Sequence, residues 1–257
     1  MSVQAAMLPT ARVSKLRTFY LPIAVLIGIA LSVLVFQTLN PGPIDSFVLN
    51  GTFLKSAFLQ HVVLSVTSFG FVLVLGVPLG VLIAIGGRVP RIVVFVLANV
   101  GQAVPGIGIL ALLTVWLGLG AVPTVIALVI YGMLPVLRNT VAGIQGVDPG
   151  AVEAARGMGM TRWQALTRVQ IPLAAPLIFA GLRTTLVLIV GTATLGNFIG
   201  GGGLGNVINS GITRSDRIVF VGAVMVAALA LLADWVLSLV ENVLVPKRIS
   251  TSAKEAT

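Results

Sequence analysis

Few residues in this sequence combine the type and the spacing that chemistry requires. Cysteine is absent and His61 is the only histidine, so the chain offers no thiol nucleophile, no disulfide and no metal site built on cysteine. Paired carboxylates, a histidine cluster or an activated nucleophile cannot be recognised either. We therefore expect a non-enzymatic protein without catalytic, cofactor-binding or metal-binding residues, in which His61 is a single interfacial side chain.

Two phosphate-binding patterns can be tested directly. The loop Gly-x-x-x-x-Gly-Lys-Ser/Thr is absent and no Gly-Lys pair occurs in the sequence, so the chain cannot cradle ATP in that way. The spacing Gly-x-Gly-x-x-Gly does occur at Gly200, Gly202 and Gly205, but a dinucleotide site needs a preceding β-strand. Because an apolar run precedes these glycines, we interpret them as a flexible or re-entrant loop.

The most polar internal stretch is EAARGMGMTRWQALTRVQIP, residues 153–172, with one acid and three arginines. Asp148 and Pro149 precede it and form a helix start, with a side-chain acceptor and a proline in the first turn. Together with them, the stretch makes up residues 148–172, which we call the polar loop.

A second helix start lies inside the polar loop, where Thr161 and Gln164 have the capping-box spacing. The pattern predicts two short helices hinged at residues 157–159, with Pro172 ending the second one. The first would present small side chains and Glu153, and the second an apolar stripe containing Trp163 and Leu166. Such a pair could lie against lipid headgroups or be gripped by a soluble partner, and spacing alone leaves both possibilities open.

The elements that carry these features are apolar enough to cross a membrane. Of the 257 residues, 57% are apolar and 9% are charged, and the mean hydropathy is +1.10. Long apolar runs of the length that spans a bilayer occur at residues 19–39, 58–85, 92–117, 122–137, 176–199 and 218–245. We predict an all-α membrane protein with six transmembrane helices in one domain, residues 19–245, and cytoplasmic tails at 1–18 and 246–257. The fourth helix should continue beyond Arg138.

Basic residues set the predicted orientation, because Lys and Arg accumulate in cytoplasmic segments. With both termini inside, twelve of the 16 basic residues lie in inner segments, and the outer segments keep only Lys55, Arg214 and Arg217. The net charge of +9 then reflects contact with anionic membrane lipid, and a nucleic-acid partner is not required.

Polar or helix-breaking residues within the runs are candidates for a solute path. They are Gln102 and Pro105 in the third run, and Thr192, Thr194 and Asn197 in the fifth. Each could instead satisfy its own helix or bridge two helices.

Two charged residues also lie within apolar runs. Arg183 and Asp234 fall at similar depth, and we predict that they form an ion pair between the fifth and sixth helices. In the second run, Gly76 and Gly80 should permit close helix contact.

The polar loop resembles the signature of ABC importer permease subunits, which has Glu-Ala-Ala, then a glycine, then an Ile-x-Leu-Pro ending. Val169 and Ile171 stand at the Ile and Leu positions. The resemblance implies a type I importer permease fold, in which the loop docks on a cytoplasmic ATPase. Glu153, Ala154, Ala155, Gly159 and Pro172 fall on the signature. Together with Thr161, Trp163 and Ile171 of the same loop, they are the residues that we predict for coupling to the ATPase.

From about Gln60 onward the chain is most similar to the osmoprotectant branch of that family, in stretches such as AGLRTTLVLIVGTATLGNFIGGGGLG. The resemblance implies import of a quaternary amine such as glycine betaine, carnitine or choline, with a dimer of ATPase subunits, a second permease copy or paralogue and an extracytoplasmic binding protein as partners. The alternatives are an importer of another small solute, such as methionine, or an ion-coupled carrier. The latter would typically have inverted repeats and interrupted helices, and neither is evident in the sequence.

Overall fold

The computed structural model describes residues 49–245 together with residues 23, 25, 27 and 28. Apart from those four positions, the predicted first span at residues 19–39 lies outside the described residues, and so do both predicted tails. Within residues 49–245 all regular elements are helical.

Helices follow one another with short connections. The α-helices of residues 49–245 are α1 (Gly51–Ile85), α2 (Arg88–Ala103), α3 (Gly106–Leu117), α4 (Ala121–Gln145), α5 (Pro149–Gly157), α6 (Arg162–Ala165), α7 (Ile171–Thr192), α8 (Gly205–Ile212) and α9 (Asp216–Leu244). A π-helical turn, Leu166–Gln170, joins α6 to α7, and a 3₁₀ segment, Ala193–Ile199, continues α7.

Four segments of the described chain are long and apolar enough to cross a membrane: Gly51–Ile85, Ala121–Gln145, Arg162–Ile199 and Asp216–Leu244. They correspond to the predicted second, fourth, fifth and sixth runs. The fourth continues past Arg138 to Gln145, as expected. A fifth span exists if α2 and α3 are counted together, so the described residues hold at most five of the six predicted spans.

The predicted third span is not one straight helix. It breaks between α2 and α3, whose axes are bent by 99°. Pro105 has no N–H to donate and its ring restricts the preceding residue to an extended conformation, and Val104 has φ −68° and ψ 131°. The Tyr131 hydroxyl of α4 donates to the carbonyl of Val104. The expectation of uninterrupted helices is therefore wrong at this point.

Helix α4 packs closely against both α1 and α7. A Cβ atom on Gly80 would lie 2.7 Å from the Cβ atom of Thr140, and one on Gly76 would lie 3.1 Å from the sulfur of Met133. Such contact lets dispersion forces hold helices together where lipid offers no hydrophobic contrast. The predicted close approach at Gly76 and Gly80 is confirmed, and their partner is α4.

The loop of residues 200–205, here called the glycine loop, returns into the helix bundle. Gly200, Gly202 and Gly203 have φ angles of 74°, 82° and 84°, a region that side chains disfavour. A Cβ atom on Gly205 would lie 2.1 Å from the carbonyl oxygen of Thr194, and Leu204 is 0% exposed. This close packing supports the re-entrant interpretation.

The predicted ion pair between α7 and α9 is confirmed. Arg183 donates from Nε to Oδ1 of Asp234 at 2.7 Å and from Nη2 to Oδ2 at 2.8 Å, the two-pronged geometry that guanidinium and carboxylate groups favour. A second carboxylate, which we did not predict, belongs to Glu241, whose Oε2 lies 3.7 Å from Nη1 of Arg183. One arginine therefore stands between two carboxylates of α9.

This arrangement predicts the outcome of a double-mutant cycle. Arg183→Ala should destabilise the subunit more than Asp234→Ala, because it leaves two carboxylates facing each other, whereas Glu241 remains for Arg183 in the other variant. The double variant should lose less than the sum of the single losses by about 0.5–3 kcal/mol. Thermal unfolding of the purified subunit in detergent measures all three. Strict additivity would contradict the coupling.

Candidate functional site

Both short helices of the polar loop begin where their caps were predicted. The Asp148 carboxylate accepts from the N–H of Gly150 at 3.0 Å, at the start of α5. At the start of α6, Thr161 Oγ1 accepts from the N–H of Gln164 at 3.2 Å and Gln164 Oε1 accepts from the N–H of Thr161 at 2.9 Å. Because each cap satisfies free N–H groups locally, the loop is a folded helical hairpin.

The turn between α5 and α6 depends on Gly159. Its φ is +88°, and a Cβ atom there would meet nothing within 4 Å, so the glycine is required by the backbone and not by crowding. Gly159 donates to the carbonyl of Arg156, and Met160 donates to that of Ala155. Gly157, two residues earlier, is equally uncrowded but has no positive φ.

Burial divides the predicted coupling residues into two groups. Glu153, Ala154, Thr161 and Trp163 are exposed, Trp163 to 64%. Ala155 is only 1% exposed, so it packs within the chain and is not open to a partner. The predicted stripe of Trp163 and Leu166 is wrong, because Leu166 belongs to the buried core.

The prediction that Pro172 ends the second helix is also wrong. In the π-helical turn before it, the N–H of Ile171 reaches back to the carbonyl of Leu166, and the chain then continues as α7. A π turn shifts the hydrogen-bond register, which accommodates the missing donor of a proline. Ile171 and Pro172 are half-buried and lie at the joint between the polar loop and the fifth span.

The candidate path residues fall into two groups. Gln102 donates to the carbonyl of Tyr131 at 3.3 Å, and Pro105 lies exposed at the break before α3. Thr192 ends α7, and Thr194 bonds back to Gly191 at 2.8 Å. Thr194 and Asn197 both flank Gly205 of the glycine loop. The structure thus places two of the five candidates beside the glycine loop, one at the end of α7 and two at the α2–α3 break.

The expectation that His61 is an interfacial side chain is wrong, since it is 0% exposed. Its Nδ1 accepts from the N–H of Leu204 at 3.2 Å, and its Nε2 lies 2.9 Å from the carbonyl oxygen of Val190. The neighbouring Gln60 accepts from the N–H of Gly203 at 3.1 Å. These contacts join α1 to the glycine loop and to the end of α7, and no local sequence signal indicates them.

A further polar contact, which no sequence pattern indicates, joins α2 to α4. Arg138 lies within α4, as predicted, and donates from Nη2 to Oδ1 of Asn99 at 2.6 Å. Asn99 in turn donates to the carbonyl of Phe95 at 2.6 Å. With Gln102, these residues add polar contacts to the apolar packing between α2 and α4, in which Phe95 and Leu137 take part.

Comparison with known proteins shows which family has this helical architecture. The family described as "Binding-protein-dependent transport system inner membrane component" matches residues 76–244. The carnitine transport permease protein OpuCD of Listeria monocytogenes is 39% identical over 205 residues, 79% of this chain and 92% of that protein. The osmoprotectant import permease protein OsmW of Salmonella typhimurium is 38% identical over 206 residues, 78% and 95% of the two chains.

Solved structures give the same fold. In an inward-facing form of the MetNI methionine ABC transporter, a chain 22% identical in sequence aligns with a TM-score of 0.66, over 75% of this chain and 96% of that chain. At this identity the likeness concerns the fold, which is that of type I ABC importer permeases. The protein is a multi-pass, non-catalytic membrane subunit, and it belongs to the family of binding-protein-dependent transport system inner membrane components, the permeases of ABC importers.

Proposed function

We propose that this chain forms the membrane path of an ATP-driven importer and that the polar loop docks on a separate ATPase, which hydrolyses the ATP. The observation that carries the proposal is the helical hairpin of the polar loop, capped at both helix starts and continuous with a membrane span. The segment Arg162–Ile199 passes from the second hairpin helix through α7 without a loop. Movement of the hairpin would therefore move the fifth span.

The exposed side of the hairpin has the chemistry of a docking surface. Trp163 and Met158 are 64% and 74% exposed, and tryptophan and methionine are residue types enriched at protein interfaces. Glu153, Ala154 and Thr161 are exposed on the same hairpin. We assign contact with the ATPase to this group and assign Ala155, Gly159, Ile171 and Pro172 to holding the hairpin in shape.

The proposed solute is an osmoprotectant of the quaternary-amine type. Relatives that align along most of this chain are named for carnitine, for glycine betaine, carnitine and choline together, and for osmoprotectants. The likeness to the methionine transporter supports the fold alone, so it does not favour an amino acid as the solute. Membership of the ABC permease family also argues against an ion-coupled carrier.

The assembly follows from the orientation. Because basic residues surround the polar loop, we propose that the loop and both termini are cytoplasmic, and that an extracytoplasmic binding protein delivers solute near the glycine loop. Helix α3 exposes Val115 and Trp116 to 77% and 86%, an apolar surface suited to lipid or to a second permease subunit. We propose two permease subunits and two ATPase subunits in each complex.

The docking role of Trp163 can be tested against a second exposed tryptophan. Trp163→Ala should weaken the association of the membrane subunit with its ATPase by about 30-fold, the loss expected for an interface hot spot. Trp116→Ala removes a more exposed ring from α3 and should leave this association unchanged. Co-purification and titration of the ATPase onto the detergent-solubilised subunit measure both. Equal ATPase binding by the two variants would exclude the hairpin face as the docking surface.

Whether coupling depends on the shape of the hairpin can be tested by comparing substitutions of Gly159 and Gly157. Gly159→Ala should strain the turn by about 1–2 kcal/mol, because alanine disfavours a positive φ, and should reduce solute-stimulated ATP hydrolysis. Gly157→Ala adds the same methyl group at a position with no such constraint, and should behave as the wild type. Membrane fractionation checks that both variants insert. The coupling role is wrong if the two alanines have the same effect.

The solute class is tested by uptake in cells that lack other osmolyte importers. Uptake of labelled glycine betaine, carnitine or choline should depend on this chain and should rise at high osmolarity, because such solutes balance external osmotic pressure. Methionine uptake, measured in the same cells, should not change when the chain is deleted. If deletion leaves all three osmolytes unaffected, the osmoprotectant assignment fails, and a loss confined to methionine uptake would favour the alternative solute.

A further inference from the structure

We propose that His61 and Gln60 are positioning residues for transport, which hold the glycine loop as a latched gate over the outer part of the path. The inference rests on the proposed function in one respect, since it assumes that the chain transports a solute. Its physical basis is a set of contacts between α1 and residues more than a hundred positions away. His61 bonds both Leu204 of the glycine loop and Val190 near the end of α7, and Gln60 bonds Gly203.

The hydrogen-bond partners determine the state of the His61 ring. Because Nδ1 accepts from the N–H of Leu204, it carries no proton, so the proton of the neutral ring is on Nε2, where it donates to the carbonyl of Val190. Val190 is among the last four residues of α7, whose carbonyls lack helical partners within that helix. One buried side chain thus satisfies a donor of the loop and an acceptor of the helix end.

The glycine loop lies so close to His61 and Gln60, which together we call the latch, that side chains would not fit between them. A Cβ atom on Gly203 would lie 2.9 Å from Nδ1 of His61, and one on Gly202 would lie 2.5 Å from Oε1 of Gln60. Both glycines have positive φ angles. The backbone of the loop therefore rests directly on α1, which makes its N–H groups the natural partners for His61 and Gln60.

The position of the latch favours a gate over a fixed brace. His61 holds α7 next to the point where the helix changes to the 3₁₀ segment Ala193–Ile199, whose poorer hydrogen-bond geometry makes it easier to deform than the α-helix. Two candidate path residues, Thr194 and Asn197, lie on that segment beside Gly205. Two side-chain hydrogen bonds and the packing of Leu204 against apolar residues of α1 such as Ala57 tie residues 203 and 204 to α1. None of these contacts is a hydrogen bond within a helix, so the loop can be released without breaking one.

The first experiment compares ATP hydrolysis by the assembled complex in lipid, without solute and with solute-loaded binding protein. His61→Leu keeps a buried side chain of similar size but removes both hydrogen bonds. It should lower the stimulation ratio by about tenfold, the equilibrium shift expected when buried polar groups lose their partners. His61→Asn keeps an acceptor for Leu204 and should recover part of the ratio. A packing role alone would not be rescued by asparagine.

Gln60 provides a variant that folding does not threaten, because it is exposed. Gln60→Leu should lower the same ratio. Its matched control is Gln145→Leu, which removes another glutamine bond between a side chain and α1, from Gln145 to the carbonyl of Ala84 at 3.1 Å, far from the loop. If Gln60→Leu and Gln145→Leu both keep the wild-type ratio, the proposed gate is overturned, even if His61→Leu fails to assemble.

A second readout does not depend on which solute is carried. The natural chain has no cysteine, so Leu204→Cys introduces a single thiol under the latch, and Ile212→Cys, at a 60% exposed position, serves as the open control. Adding His61→Leu should raise the rate at which an impermeant maleimide labels residue 204 by about tenfold and should leave labelling at 212 unchanged. An unchanged rate at 204 overturns the gate. Faster labelling in a complex that no osmolyte stimulates would leave the gate standing and reject the osmoprotectant as the proposed solute.

Discussion

Every backbone N–H and C=O group inside a lipid bilayer must find its partner within the protein, and this requirement governs where the structure departs from straight helices. At three interruptions in the described residues, a specific hydrogen bond replaces one that a straight helix would have made. The Tyr131 hydroxyl serves the carbonyl of Val104 at the α2–α3 break. His61 serves the carbonyl of Val190 before the 3₁₀ segment, and the π turn before Pro172 reassigns the carbonyl of Leu166 to Ile171.

These hydrogen bonds explain why polar residues of a mostly apolar protein lie beside its irregular backbone. Gln102 and Tyr131 lie at the break in the third run, and Gln60 and His61 lie at the glycine loop. Irregular backbone at membrane depth is tolerated where protein buries it or where it lines a cavity. A solute path needs polar groups at the same places, so one set of side chains can serve both the fold and transport.

The distance along the chain between interacting groups explains what the sequence could predict. The helix caps of the polar loop join residues three positions apart or fewer, so the residue types at those positions were enough to predict the caps. Arg183 and Asp234 could be paired because an isolated charge within a span is costly. His61 and Leu204 are separated by 143 positions, and the sequence around a single histidine does not indicate which distant group it will bond. Pro105 and Pro172 were recognised as helix breakers, but proline alone does not reveal whether tertiary contacts will bend a helix, end it or repair it.

The fifth span connects the two regions to which function is assigned. Its 38-residue segment, Arg162–Ile199, starts in the hairpin and ends at the glycine loop, and on the order of 55 Å separates those ends if the rise of an α-helix holds throughout. Between them, Thr185 bonds the carbonyl of Gly132 at 3.0 Å and Arg183 is held by Asp234, so the middle is fixed to α4 and α9. The two irregular turns lie outside this fixed middle, one on each side. Bending is therefore easiest at the π turn and at the 3₁₀ segment, whose hydrogen bonds depart from the α-helical pattern. The stretch between these two turns is tied to α4 and α9, so any displacement of it must involve those helices as well.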